Sequence, residues 1–124
     1  MIVGIGVDII EIDRIQKSIE TYGDKFLEKI YTPTEVEYCS TKGDKYRRYA
    51  ARFAIKEAVY KAVMKYDPTV AWQDISVKNE SDGAPLLEDL PKIARIRAQG
   101  VTIHISLSHS NNYAVATAVA EKMV

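Results

Sequence analysis

Apolar and polar residues alternate along three segments of the chain, and this period of two predicts β-strands. The strands are expected over residues 2–9, 101–107 and 113–121, with Asp8 near the C-terminal end of the first. One face of the last strand carries only alanines, which suits close packing against a helix or another strand. These residues are Ala114, Ala116, Ala118 and Ala120.

Helical patterns dominate the first half of the chain. Ile15, Ile19 and Tyr22 form an apolar stripe that predicts a helix from about residue 14 until Gly23 interrupts it, and residues 24–30 continue the inward face. The charged residues left on the outward surface include Arg14, Lys17 and Lys25.

Two further helices carry clear boundary signals. Thr32, Pro33 and Glu35 supply a hydroxyl cap, a proline at the first helical position and a glutamate at the third. A long helix is expected over residues 45–66, because Pro68 cannot continue it.

The order of elements predicts an α+β fold. Short strands are expected near residues 74–79 and 85–87, and residues 91–99 have mixed helical character. We therefore expect one domain over residues 1–124, an antiparallel sheet with helices packed on it.

Composition fits a cytoplasmic protein with no membrane segment. The hydrophobic content of 47% is enough for a core, yet no stretch approaches the ~20 apolar residues of a membrane helix. The N-terminus lacks the positive charge of a secretion signal, and Cys39 has no cysteine partner for an intramolecular disulfide.

A net charge of zero conceals a basic block. Between Lys42 and Lys65, eight basic residues stand against Asp44 and Glu57, which leaves a local charge of +6. Such a block indicates either a polyanionic ligand or a solvated helix face.

Three groups of residues are candidates for chemistry. The first is Asp8, preceded by Gly4 and Gly6, which would let a bulky ligand approach the backbone. The third glycine of a dinucleotide fingerprint is missing, and a lone strand-end aspartate is also typical of a turn or cap.

The second group lies on the long helix, where helical spacing allows one broad polar face. A single glutamate among cations suits a hard cation such as magnesium beside phosphate groups, although an ordinary exposed ion pair has the same spacing. These residues are Arg52, Lys56, Glu57 and Lys61.

The third group, at the end of a strand, can donate hydrogen bonds to phosphate oxygens. It comprises Ser106, Ser108 and His109. A serine triad is disfavoured because the G-x-S-x-G motif is absent, and His104 and His109 would point in different directions as metal ligands.

In this order, the three groups resemble the motifs of the holo-acyl-carrier-protein synthase group of 4′-phosphopantetheinyl transferases. The similar segments are Gly4-Ile5-Gly6-Val7-Asp8 with Arg14, Arg52-Phe53-Ala54-Ile55-Lys56-Glu57 with Lys61-Ala62, and Ser106-Leu107-Ser108-His109. The resemblance implies transfer of phosphopantetheine from coenzyme A to a serine of apo-acyl carrier protein, releasing adenosine 3′,5′-bisphosphate, in support of fatty acid biosynthesis.

The resemblance also implies roles for particular residues. Asp8 and Glu57 would bind magnesium, Lys61 would contact the pyrophosphate, and Glu35 would help to activate the serine hydroxyl, unless water does so. The expected partners of the other phosphates of coenzyme A are Arg52, Lys56, Ser106, Ser108 and His109. Arg14, with Lys17 and Lys25, would dock the carrier protein, and the small members of the family form homotrimers with sites between subunits.

Two positions depart from the family pattern. Residues 63–69 replace a glycine-rich loop, so contacts to the adenine are expected to change. Ile10 stands where double-length relatives carry a third acidic ligand, so water should complete the magnesium shell.

Two other functions compete with this interpretation. One is a nucleic-acid-binding module that stacks bases on Tyr46, Tyr49, Tyr60 and Tyr66. The other is a fragment of a sugar-kinase-like ATPase, for which the chain is too short. The transferase interpretation predicts no nucleic-acid partner.

Overall fold

The computed structural model describes residues 1–41 and 43–123, and its elements follow the predicted order. Lys42, the first residue of the basic block, lies outside the described residues. The helices are α1 (Ile12–Tyr22), α2 (Asp24–Ile30), α3 (Pro33–Ser40), α4 (Lys45–Val63) and α5 (Pro91–Arg97). The strands are β1 (Ile2–Glu11), β2 (Val77–Asn79), β3 (Pro85–Leu87), β4 (Val101–His109) and β5 (Tyr113–Lys122), and a 3₁₀ turn spans Trp72–Asp74.

The main sheet is antiparallel with the order β1-β5-β4, while β2 and β3 form a separate hairpin. This arrangement confirms the predicted α+β fold. Residues directly opposite each other share a face of the sheet. Neighbouring rows are Asp8, Ala116 and Leu107 on the side facing α4, and Val7, Thr117 and Ser106 on the opposite side.

Helix α4 packs across the sheet in close backbone contact with β1. The predicted alanine face of β5 lies against it, with each alanine at most 1% exposed. A Cβ on Gly4 would lie 1.8 Å from the carbonyl oxygen of Ala62, and one on Gly6 would lie 1.9 Å from that of Ala58. The expectation that these glycines make room for a ligand is therefore wrong, because the helix occupies that space.

The interior contains an ion pair between Lys56 on α4 and Glu35 on α3, both with fully buried side chains. Lys56 Nζ also donates to the carbonyl oxygen of Ile75 at 2.5 Å. Glu35 accepts from the backbone N–H groups of Thr32 and Val77, each at 2.9 Å. Burial lowers the pKa of Lys56, and the Glu35 carboxylate opposes that shift.

This ion pair bears on two predictions. Lys56 is fully buried, and its ammonium group is bound by Glu35 and the carbonyl oxygen of Ile75, which argues against the predicted contact with a phosphate of coenzyme A. The burial of Glu35 argues in the same way against the predicted activation of a substrate hydroxyl. The helix geometry permits a shared polar face, but the packing of α3 against α4 turns Lys56 inward.

The structure bears out some predicted boundaries and shifts others. Thr32 and Glu35 form the expected capping box, with reciprocal hydrogen bonds at the start of α3. Helix α4 ends at Val63, three residues earlier than predicted, and α1 begins at Ile12. Tyr22, expected on the apolar stripe, is 64% exposed.

Among residues 1–41 and 43–123, none of the helices has the length and hydrophobicity required to span a bilayer.

Candidate active site

Asp8 and Lys61 meet where β1 crosses α4. Lys61 Nζ donates to the backbone carbonyl of Val7 at 2.9 Å and lies 3.5 Å from Asp8 Oδ1. Lys61 is exposed, so its ammonium group is available to a ligand as well. Glu57, one turn earlier on α4, is close enough for its charge to raise the pKa of Asp8.

The second carboxylate oxygen of Asp8 is buried without a hydrogen bond, from the described part of the chain, that would offset its loss of contact with water. Oδ2 is buried and finds no hydrogen-bond partner among the described residues. Burial is the main cause that raises the pKa of Asp8, the ion pair with Lys61 opposes it, and Glu57 adds to it. An unpaired buried acceptor is costly, so this oxygen is well suited to contact a cation.

Glu57 is held by a residue whose role the sequence interpretation missed. The indole Nε1 of Trp72 donates to Glu57 Oε1 at 2.7 Å. Both side chains line a groove of about 390 Å³ between α4 and residues 68–75. The sequence did carry a signal, because Trp72 is the single tryptophan of the chain and is followed directly by the polar residues Gln73 and Asp74.

These residues fit a magnesium site with two protein ligands. Magnesium prefers oxygen ligands, keeps several waters and commonly uses one or two carboxylates with substrate phosphates. Within the described ranges, no three His, Cys, Asp or Glu side chains cluster as a metal site. Ile10, at the position of the absent third acid, is a core residue with 8% exposure.

A second, basic cleft of about 330 Å³ lies at the other end of α4. Arg52 is 3% exposed and donates to Asn79 Oδ1, while its Nε has no partner in the part of the chain that the structure describes. Its guanidinium carbon lies 4.3 Å from the ring centroid of Tyr38. Other residues lining the cleft are Arg47, Arg48, Pro85 and His109.

Part of the basic block is neutralised within the chain. Asp44 binds both Arg47 and Arg48, the latter at 2.7 Å. These hydrogen bonds, with that from Arg48 first, lower the pKa of Asp44 to about 2. The block is therefore neither a free cationic surface nor a wholly solvated face, and Arg52 lines the cleft with its buried Nε unpaired among the described residues.

The third predicted group is divided between the two faces of the sheet. His109 lies in the row of Ile10 and Ala114, on the α4 side. Ser106 and Ser108 are exposed on the opposite face and do not join Asp8 and Glu57 within one chain.

The predicted docking residues are where the helical pattern placed them. Arg14 and Lys17 on α1 and Lys25 on α2 are all exposed. In contrast, the stacking row of the nucleic-acid alternative is broken. Tyr49 is only 2% exposed, and its ring centroid lies 4.7 Å from that of Tyr31.

Comparison with known proteins gives a consistent result. Residues 4–118 match the model of the 4′-phosphopantetheinyl transferase superfamily. A curated relative from Koribacter versatilis, a holo-[acyl-carrier-protein] synthase, is 44% identical over 98% of this chain and 99% of its own.

Solved structures agree with this result. A holo-(acyl-carrier-protein) synthase from Bacillus anthracis in complex with CoA (3′,5′-ADP) has a TM-score of 0.79 and 40% identity, covering 99% of both chains. The Helicobacter pylori synthase in complex with coenzyme A has a TM-score of 0.80 and 32% identity, covering 94% of this chain and 99% of that one. This chain belongs to the 4′-phosphopantetheinyl transferase superfamily and is a transferase.

Proposed function

We propose that this chain, as a single domain over residues 1–124, moves the 4′-phosphopantetheine group of coenzyme A onto a serine of apo-acyl carrier protein and releases adenosine 3′,5′-bisphosphate. The observation that carries the proposal is the unpaired buried Asp8 Oδ2, beside the Lys61 ammonium group and within electrostatic reach of Glu57. Relatives that carry the synthase name, and neighbouring structures solved with coenzyme A, support it.

In this reaction the serine oxygen of the carrier bonds to the β-phosphorus of coenzyme A, and the bond from that phosphorus to the bridging oxygen breaks. Magnesium held by Asp8 and Glu57 would supply charge neutralisation to the pyrophosphate. Lys61 neutralises charge that develops on the leaving oxygen. The serine proton passes to water, because Glu35 is buried.

Phosphate recognition is assigned to the basic cleft and the neighbouring strand end. Arg52, with its unpaired Nε, and His109 line the cleft and donate to the remaining phosphates of coenzyme A. Ser106 and Ser108 contribute from the other face of the sheet, which requires that the ligand lie between two copies of the chain.

The outer face of the sheet supports assembly into a homotrimer. Three β-branched residues of β1, Ile5, Val7 and Ile9, are 67%, 56% and 63% exposed. A contiguous exposed apolar surface of this kind marks an interaction site. Ser106 and Ser108 lie in the rows of Val7 and Ile9, so association through this face would bring both hydroxyls to a subunit boundary.

We assign docking of the carrier protein to the basic residues of α1 and α2. The exposed Arg14, Lys17 and Lys25 would attract an acidic carrier protein, which speeds and orients encounter.

The adenine is expected to meet a loop that differs from a glycine-rich one, since Pro68 and Thr69 form part of the groove beside Glu57. The setting we propose is the cytoplasm, in fatty acid biosynthesis.

The test is to mix the protein with apo-acyl carrier protein, coenzyme A and magnesium and to weigh the carrier by mass spectrometry. We expect a gain of one phosphopantetheine group, and adenosine 3′,5′-bisphosphate in solution. Asp8→Asn and Glu57→Gln should abolish this gain while remaining folded, whereas Glu80→Gln, a matched change on an exposed side chain, should not. A folded protein that leaves the carrier unmodified would disprove the proposal.

A further inference from the structure

We propose that Trp72 is a positioning residue for Glu57: its indole N–H fixes one carboxylate oxygen and leaves the other to meet the cation. The inference rests on the magnesium site proposed above and extends it to a residue outside the metal ligands.

The hydrogen bond between these side chains is short and specific. Trp72 Nε1 lies 2.7 Å from Glu57 Oε1. The indole has one donor and no acceptor, so it can serve a carboxylate only by donating. A bond to an ionised acceptor is about twice as strong as a neutral one. The contact therefore restrains the rotation of Glu57 at the side of Oε1.

The 3₁₀ turn that carries Trp72 is itself anchored on both sides. Asp74 Oδ2 accepts from the backbone N–H of Ala71 at 2.8 Å, and Lys92 lies 3.2 Å from the same oxygen. The amide of Gln73 donates to the carbonyl oxygens of Glu28 and Tyr31 at 2.6 and 2.7 Å. These bonds fix the backbone from which the indole projects.

Packing fixes the ring. The centroid of Trp72 lies 6.3 Å from that of Phe53, with the two planes inclined at 34°. Lys29, on α2, places its Nζ 5.9 Å from the centroid of the Trp72 ring, which adds a cation–π contact. Trp72 therefore presents its N–H from a restrained ring.

A fixed Glu57 has a direct consequence for cation binding. A free glutamate on a helix loses rotamer freedom when it becomes a ligand, and this loss weakens binding. Residues that orient a metal ligand typically change metal affinity or activity about 10-fold to 100-fold when they are replaced. Trp72 should act at the lower end of this range, because one hydrogen bond is involved.

The test uses Trp72→Phe, which removes the N–H but retains an aromatic ring against Phe53. We expect the magnesium concentration that gives half-maximal turnover to rise about tenfold, while the KM for the carrier protein stays within twofold. Trp72→His, which retains a ring N–H, should restore part of the magnesium response. Equal half-saturating magnesium in wild type and Trp72→Phe would overturn the inference and leave the proposed function intact.

A second measurement needs no active variant. Trp72 is the only tryptophan, so its fluorescence in the wild type should change on titration with magnesium in the presence of coenzyme A, and Glu57→Gln should remove the change. If the emission spectrum of Trp72 did not change at magnesium concentrations that saturate turnover, the inference would be contradicted. If wild-type turnover needs no magnesium, the metal site itself is wrong, and the inference fails with it.

Discussion

A Cβ placed on Gly6 would lie 1.9 Å from the carbonyl oxygen of Ala58. The strand that carries Asp8 and the helix that carries Glu57 are thus in backbone contact. This contact brings the carboxylate of Asp8 on β1 and that of Glu57 on α4 within electrostatic reach of each other. The glycines of the first motif shape the site by admitting the helix.

Gly6→Ala should therefore force β1 and α4 apart. We expect a loss of about 1–3 kcal/mol in the free energy of unfolding, the usual cost of overpacking, and a larger half-saturating magnesium concentration. Urea unfolding and turnover assays check both. Gly43→Ala is the matched control, since nothing lies within 4 Å of a Cβ at Gly43, and it should be neutral or slightly stabilising. If Gly6→Ala had the stability of the wild type, the close contact between β1 and α4 would not be needed for the fold, and the prediction would be wrong.

Lys56→Met should leave the Glu35 carboxylate buried without its counter-ion. Removing one partner of a buried pair costs about 3–5 kcal/mol. The measurement is the free energy of unfolding from urea titration. Lys65→Met, an exposed change on the turn after α4, should stay within about 0.5 kcal/mol of wild type. If both variants were equally stable, Lys56 would not be a structural residue.

Val7→Asp places a charge at the centre of the exposed apolar face of β1. If that face joins subunits, the desolvated carboxylate should convert the assembly to monomers and reduce turnover. Light scattering coupled to size-exclusion chromatography measures the mass. Tyr22→Asp, also at an exposed apolar residue but on α1, should keep the wild-type mass. A Val7→Asp protein with unchanged mass argues against association through this face.

Arg14→Glu should weaken encounter with an acidic carrier protein. We expect the KM for the carrier to rise roughly threefold to tenfold, with the KM for coenzyme A unchanged and the effect reduced at high salt. Arg95→Glu, at an exposed residue of α5, is the control and should alter neither value. Equal changes in both KM values would contradict a docking role.

The Cys39 thiol should be inert in the folded protein. It is fully buried, and burial is the main cause that raises its pKa to about 12. At pH 8 a thiol reagent should label it only after unfolding in guanidinium. Because the unfolded chain releases this proton near pH 9 and the folded chain near pH 12, stability should decline as pH rises through that window. Rapid labelling of the native protein at pH 8 would contradict this placement.

Local patterns were sufficient for much of the fold. The capping box of Thr32 and Glu35 depends on residues three apart, and the alternation in β4 and β5 needs no partner to be recognised. The site was harder to predict. Trp72 and Glu57 are 15 residues apart, and no local pattern joins an indole in a 3₁₀ turn to a helix glutamate.

The sequence by itself determined the order of the elements, which residues share a face of each strand, and which element carries each of the three motifs. These properties follow from backbone periodicity and residue chemistry. Only the tertiary structure decided which charged side chains of α4 are buried in the core and which remain exposed. Lys56 and Lys61 look equivalent along the helix, yet the first is buried against Glu35 and the second is exposed beside Asp8. The reason is physical: the environment of a helix face depends on what packs against it, and α3 covers one lysine while the edge of β1 leaves the other open to a ligand.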